Sequence, residues 1–424
     1  MTAPRLGWYG DDFTGATDTL AEAAAGGLRA LLFLGVPTSE QLAAAGPLDA
    51  VGIAGASRTM APEAMARELG PVGRFFAELG VAVLHYKCCS TFDSAPGTGS
   101  LGAAIRALKP SCPNPLVAIV GGQPNLGRYC AFSTLFAAAG SGGAVHRLDR
   151  HPTMSRHPVT PMDEADLRLH LARQDLAVAG LHYPAYADEA ARLDTLLAGA
   201  PDAVLFDVAA PEHLAAVGRI VTAHAKAGRL LAVGPSGVTQ ALLAGAPRRP
   251  PRPLSPARGP VLALVGSLSP VSRGQAEAAR SYARVAIDGA RLVADPRYAG
   301  ARAAEAADLL GAGRPVLLVT APDDAPDGSA AVLTARLAHA TADLFARTLA
   351  LTPVRRAAVA GGDTSSRAAA SLGLRALAFE TTLGPGVTLC GGLADDPRLD
   401  GIELVLKGGQ MGGEDIFERL IAGD

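Results

Sequence analysis

The chain has 424 residues, 49% of them hydrophobic and 18% charged, with a formal net charge of −2. Its length predicts two domains of about 200 residues each. Its near-neutral charge excludes the electrostatic footprint of a partner such as nucleic acid or an anionic membrane surface. The opening MTAPRLGWYG has no leader-like apolar segment, and no apolar run approaches a membrane span. Five cysteines, odd in number and without a CxxC pair, predict a reduced, cytoplasmic protein.

Taken in order, apolar strand-like runs occur at 5–10, 29–35, 50–55, 82–88, 115–122, 202–208 and 229–237. Amphipathic segments such as 14–26 and 62–80 lie between them. At 247–260 six prolines and four arginines fall in fourteen residues, a composition that predicts a stiff, exposed linker. Strands then resume at 261–267, 285–289, 315–321, 358–362, 374–379 and 402–409. The expected fold is α/β: two domains, each a mainly parallel sheet flanked by helices, with an interdomain cleft. The expected boundaries are 1–247 for the first domain, 248–257 for the Pro/Arg-rich linker and 258–424 for the second.

Ligands of open α/β sheets bind beyond the carboxyl ends of the strands, so the residues after each strand carry the information. Asp11 and Asp12 end the first strand, with Thr14 as the expected N-cap of the next helix. The pair reads either as capping acids or as a general base or metal-binding group at a cleft mouth. Arg58 reads as a solvated loop arginine or a bidentate carboxylate partner. Lys87, followed by Cys88, Cys89, Ser90 and Thr91, suits a polyol or an anion. The string GTGSLG at 97–102 matches G-x-G-x-x-G but lies well after its strand, with no acid between Asp93 and Asp149, so it lacks the context of a dinucleotide site. His151 and His157 stand in a Pro-containing loop without zinc spacing, and Thr160 with Pro161 reads as a helix start.

Three strand ends in the second half, at 264–275, 359–373 and 404–420, are rich in Gly, Ser and Thr and run into helices. Glycine turns and helix N-termini present backbone N–H groups that cradle phosphate, and three of them point to a nucleotide. No G-x-x-x-x-G-K-[ST] occurs, so this is not a P-loop. TTLGPGVTLCGG at 381–392 reads as a further tight loop.

Together these segments resemble the four-carbon acid sugar kinase family. Asp11–Asp18 match its D-D-x-T-G-A-x-D opening and Lys87–Ser94 its K-x-x-S-T-x-D-S strand end. GSLSPVSRGQ, GGDTSS, GPGV and LKGGQMGGEDIF follow in order along the second half. The resemblance implies ATP- and Mg²⁺-dependent phosphorylation of a tetronate or 3-oxotetronate at the terminal hydroxyl, with a sugar-acid domain followed by a nucleotide domain. By motif position it implies that Asp12, Arg58, Lys87, Cys88, Cys89 and Ser90 bind substrate, with Asp12 at the reacting hydroxyl. For ATP it implies Ser267, Gly361, Gly362, Asp363, Thr364, Gly408, Gly409, Gln410, Met411 and Gly412, without a protein metal cage. Relatives more often write K-S-G-N-F-G where this chain has KGGQMGG. An NAD(P)-dependent hydroxy-acid oxidoreductase and a non-catalytic sugar-acid sensor are the alternative functions. The expected partners are small molecules only, and a homo-oligomer stays open.

Overall fold

The computed structural model describes residues 3–140, 142–157, 159–266, 269–320 and 330–424. They form two compact units, 1–250 and 251–424.

The first unit contains β1 (Leu6–Gly10), β2 (Ala30–Phe33), β3 (Ala50–Ala54), β4 (Val83–Lys87), β5 (Val117–Gly121), β6 (Arg128–Ala131), β7 (Thr134–Ala138), β8 (Val145–Arg147), β9 (Val178–Leu181), β10 (Ala203–Asp207) and β11 (Leu230–Gly234). Eight of these run parallel in the order β2-β3-β1-β4-β11-β5-β10-β9. β1, β3, β4, β5, β10 and β11 are buried along their whole length. That is why they read as unbroken apolar runs: helices cover both faces of a parallel sheet. The register aligns Gly10 with Ala54 and Lys87, and Lys87 with Gly234, so four neighbouring strands end at one level. The helix Pro62–Leu79 starts on a proline at its first position and stops at the left-handed Gly80. β6, β7 and β8 form a separate antiparallel meander.

The second unit contains β12 (Val261–Val265), β13 (Ala283–Ile287), β14 (Val316–Thr320), β15 (Arg356–Ala360), β16 (Leu374–Gly384), β17 (Val387–Ala394) and β18 (Glu403–Lys407). Their order is β13-β14-β12-β15-β18-β17-β16, with β17 antiparallel to both neighbours and the other pairs parallel. Val261, Ala358, Val405 and Phe417 belong to one buried core, and Tyr282 anchors there by donating its hydroxyl to the Phe417 carbonyl at 2.9 Å.

Three local expectations change. TTLGPGVTLCGG is not a loop: it is most of the β16–β17 hairpin, turning at Pro385–Gly386. The segment after Pro250 is not wholly exposed, because Leu254 is buried in the core of the second unit and the Ser255 carbonyl accepts from Arg356. Thr160 caps no helix. The helix there is Leu167–Ala172, and Asp166 caps it. Among the described residues no helix is long and apolar enough to cross a membrane. All five cysteines are free thiols; Cys89 is half-buried and the other four are buried.

Candidate active site

The level ends of β1, β3 and β4 bring Asp11, Asp12, Arg58 and Lys87 together. Backbone bonds fix the junction: the Asp11 amide donates to the Lys87 carbonyl at 3.0 Å and the Arg58 amide to the Asp11 carbonyl at 3.1 Å. The Arg58 guanidinium grips both acids. Its Nε and Nη2 donate to the two Asp11 oxygens at 3.1 and 2.7 Å, and its Nη1 to Asp12 Oδ2 at 2.7 Å. Asp11 and Asp12 are buried, so the adjacent like charges persist because this cation and Lys87 balance them. Arg58 thus spends three of its five N–H groups on its neighbours, a pairing the sequence did not suggest.

Asp12, not Thr14, is the N-cap of the helix Phe13–Ala25. Its Oδ1 accepts from the Gly15 amide at 2.8 Å, and its Oδ2 accepts from Thr14 Oγ1 at 2.6 Å as well as from Arg58. Burial alone would raise its pKa. Arg58 and Lys87, with Thr14 and the Gly15 amide, outweigh burial and hold it below the usual carboxylate range. Asp11 goes the other way: burial raises it despite Arg58. A carboxylate oxygen has two lone pairs. Both are taken on Asp12 Oδ2, and one remains on Oδ1. Lys87, 4% exposed, lies beside it. A Cβ on Gly15 would sit 2.2 Å from Lys87 Nζ and 2.6 Å from Asp12 Oδ1, so only glycine leaves room for that approach.

Beyond β4, Cys88 is buried at 1% exposure and its thiol pKa is pushed well up by burial. Cys89 and Ser90 are half-buried. The Cys89 thiol meets Thr91 Oγ1, which donates to Asp93 Oδ1 at 2.6 Å. Gly99, in the string that imitates a dinucleotide loop, packs instead on the Arg58 carbonyl, 2.4 Å from where its Cβ would be. Asp18, on the first helix, accepts from Ser236 Oγ and from Gln123 Nε2 at 3.3 Å, tying that helix to the ends of β11 and β5. Neither Gln123 nor Ser236 stood out in the sequence, since a strand followed by a lone polar residue is an ordinary pattern. His151 is 2% exposed and structural: its Nδ1 accepts from the Thr153 and Met154 amides, so Nε2 carries the proton and faces the Ala138 carbonyl. His157 Nδ1 accepts from the Thr160 amide at 3.1 Å.

In the second unit the loop after β18 is held by its carbonyls. Ser269 and Ser272 donate to the Gly409 carbonyl, and Gln275 Nε2 lies 3.0 Å from the carbonyls of Met411, Gly412 and Gly413. The Met411 amide donates to the Gly408 carbonyl. Among the described residues no group accepts from the amides of Gln410 and Gly412. The helix Gly362–Ser371 starts at Gly361, which has φ 127° and provides no side-chain cap, so its first amides are open to an anion. The Gly361 amide donates to the Lys407 carbonyl at 2.9 Å, which sets this helix start beside the loop. Asp363 lies in its first turn. Thr364 is buried against Gly266. Ser267 lies outside the described residues.

Lys407, passed over in the sequence because the glycines that follow it dominate the pattern, ends β18 at 1% exposure. Its Nζ donates to the Gly408 carbonyl at 3.1 Å, and no carboxylate pairs with it among the described residues. Burial lowers its pKa to about 8. A buried ammonium without a counter-ion among the described residues, beside open amides, suits a phosphate.

A family model described as a sugar-binding N-terminal domain matches residues 6–242, and one described as a nucleotide-binding C-terminal domain matches 262–417. The chain is 40% identical over 440 residues to a 3-oxo-isoapionate kinase of Paraburkholderia graminis, covering 97% of this chain and 93% of the relative. It is 31% identical to a 3-oxo-tetronate kinase of Methylobacterium radiotolerans, covering 98% of each, and 32% identical to one of Cupriavidus necator, covering 99% and 96%. Among solved structures, a Salmonella typhimurium protein described as a putative tRNA synthase superposes with a TM-score of 0.79 at 24% identity over 98% of each chain, a likeness of fold alone. A Haemophilus influenzae protein superposes with a TM-score of 0.70 at 25% identity over 98% of each.

Proposed function

Because this chain belongs to the four-carbon acid sugar kinase family, we propose that its two ligands divide between the two units, the sugar acid at Asp12 and Lys87 and ATP at Lys407 and the loop from Gly408 to Gly412. The enzyme is a sugar-acid kinase, a phosphotransferase with a hydroxyl acceptor. Its substrate is a 3-oxo acid of the tetronate or isoapionate type, phosphorylated at a terminal hydroxyl.

The observation that carries this reading is the one acceptor position left on Asp12 Oδ1, next to the Lys87 ammonium. Phosphoryl transfer requires positioning and charge neutralisation more than proton abstraction. With its pKa held down, Asp12 is a weak base at neutral pH. Its role is to accept a hydrogen bond from the attacking hydroxyl and aim that oxygen, while Lys87 opposes the negative charge. On the nucleotide side, Lys407, the open amides of Gln410 and Gly412 and the start of the helix Gly362–Ser371 receive phosphate oxygens. Among the described residues no cluster of three His, Cys, Asp or Glu side chains stands ready for a metal. Mg²⁺ would be carried on phosphate oxygens and water, where it would disperse phosphate charge.

The test is a coupled assay of ATP consumption with erythronate, threonate, 3-oxotetronate and 3-oxo-isoapionate, using wild type and Asp12→Asn. Substrate-dependent turnover with kcat lowered about 10²-fold in the variant is expected, the size of a misaimed reacting group. Turnover with none of these acids refutes the substrate class, and near wild-type kcat in the variant refutes the role of Asp12.

A further inference from the structure

Arg58 spends three of its five N–H groups on Asp11 and Asp12, so its charge is already matched before a substrate carboxylate arrives. Arg58 and Lys87 together do no more than offset Asp11 and Asp12, and Asp93 adds a further buried negative charge on the β4 side. An anionic substrate entering this site needs another cation.

Arg128, at the start of β6, offers one. Its backbone pairs with that of Gln123, whose Nε2 donates to Asp18 on the first helix at 3.3 Å, so Arg128 stands on the strand-end side of the site; burial lowers its pKa and the nearby Cys89 and Asp93 act against that. Its guanidinium is pinned by one nitrogen: Nη1 donates to the Leu126 carbonyl at 2.7 Å and to the Ala138 carbonyl at 3.2 Å. His151 supports the same Ala138 carbonyl through Nε2 at 3.3 Å, and His151 is itself locked by two backbone amides. The opposite edge of the guanidinium is different. Nε is buried and has no hydrogen-bond partner among the described residues, and the guanidinium's bonds to them run from Nη1. Nε and Nη2 are the two nitrogens whose N–H bonds run side by side, the fork that matches a carboxylate. A buried guanidinium N–H without a protein partner calls for a ligand, an ion or water to complete it.

We propose that Arg128 receives the carboxylate of the sugar acid through its Nε–Nη2 edge, and that this contact makes the enzyme select acids over neutral sugars. The proposal rests on the sugar-acid kinase reading and adds a specificity residue to it. Arg58 then serves as the counter-ion of the aspartates, and Arg128 as the reader of the substrate's far end.

The experiment compares wild type, Arg128→Ala and Arg128→Lys on the acid turned over fastest and on the neutral amide of that acid. Binding is measured separately by calorimetry with the 4-deoxy analogue of the acid, which cannot be phosphorylated. For Arg128→Ala, KM for the acid is expected to rise about 100-fold, the size of a lost charge-assisted bidentate contact. KM for ATP and for the amide should stay within about twofold, so that the preference for acid over amide collapses. Arg128→Lys keeps the charge without the fork and should recover part of the loss. An acid-to-amide preference retained in Arg128→Ala overturns the proposal, as does an equal loss on acid and amide. Failure of the wild type to act on any sugar acid while binding MgATP would take down the kinase reading itself, a different result from a normal wild type with an indifferent Arg128.

Discussion

Removing Arg58 separates its two conceivable roles. Arg58→Ala deletes three hydrogen bonds to Asp11 and Asp12 and strands two buried carboxylates with Lys87 as the remaining near cation. Breaking a buried pair by deleting one partner costs about 3–5 kcal/mol. For a unit of this size each kcal/mol moves the melting temperature by about 2–4 °C, so a fall of about 6–20 °C at pH 8 is expected for the first unit. The pH dependence has a definite sign. Burial already raises Asp11, and loss of Arg58 raises it further, so the folded variant keeps a proton that the unfolded chain releases near pH 4. Stability then falls as pH rises above that point, and the deficit against wild type is smaller at pH 5 than at pH 8. Scanning calorimetry at the two pH values, with sugar-acid KM measured alongside, reads both quantities. A melting temperature within 2 °C of wild type at both pH values, with KM for the acid raised 100-fold, would falsify the counter-ion role and restore Arg58 as the substrate anchor.

Two further outcomes concern Lys407 and Gly15. With the Lys407 pKa at about 8, its ammonium is lost as pH rises past that value, and KM for ATP should climb up to about tenfold per pH unit above it. Lys407→Met should abolish this dependence and raise KM for ATP at pH 7 without lowering the melting temperature, because the desolvation penalty goes with the charge. A wild-type KM for ATP that is flat from pH 7 to 10 contradicts the assignment. Gly15→Ala pushes a methyl against Lys87 Nζ and Asp12 Oδ1. It should lower kcat about 100-fold by misplacing them, with thermal stability little changed; normal kcat would mean that neither group needs its present position.

The half-exposed edge strand Val178–Leu181 was missed, but most parallel strands were legible because burial on both faces writes them as continuous apolar runs, from Leu6–Gly10 to Glu403–Lys407. The β16–β17 hairpin was not, since Gly384, Gly386, Gly391 and Gly392 imitate a loop and its pairing partners lie on another strand. β6–β8 escaped because short, half-exposed strands carry little periodicity. In the site, residue types and positions could be read from strand ends, but pairings could not. Nothing local in SRT shows that Arg58 reaches back 47 residues to Asp11. Nothing in GRYC shows that Arg128 presents an unfilled edge. Motif glycines drew attention to Gly408 and away from Lys407, whose significance comes from burial.

The free cysteines give the two units separate clocks. Thiols react as thiolates, and burial pushes Cys89 to about 11, Cys112 to about 12 and Cys88, Cys130 and Cys390 upward as well. In the folded chain Cys88, Cys112, Cys130 and Cys390 are also buried from solvent, whereas Cys89 is half-buried. Four belong to the first unit and Cys390 to the second. At the four buried thiols a thiol-specific dye added to the native enzyme is therefore consumed as fast as each unit opens. Locating the label by mass then tells which unit opened, and how sugar acid or nucleotide slows that opening, without altering a residue.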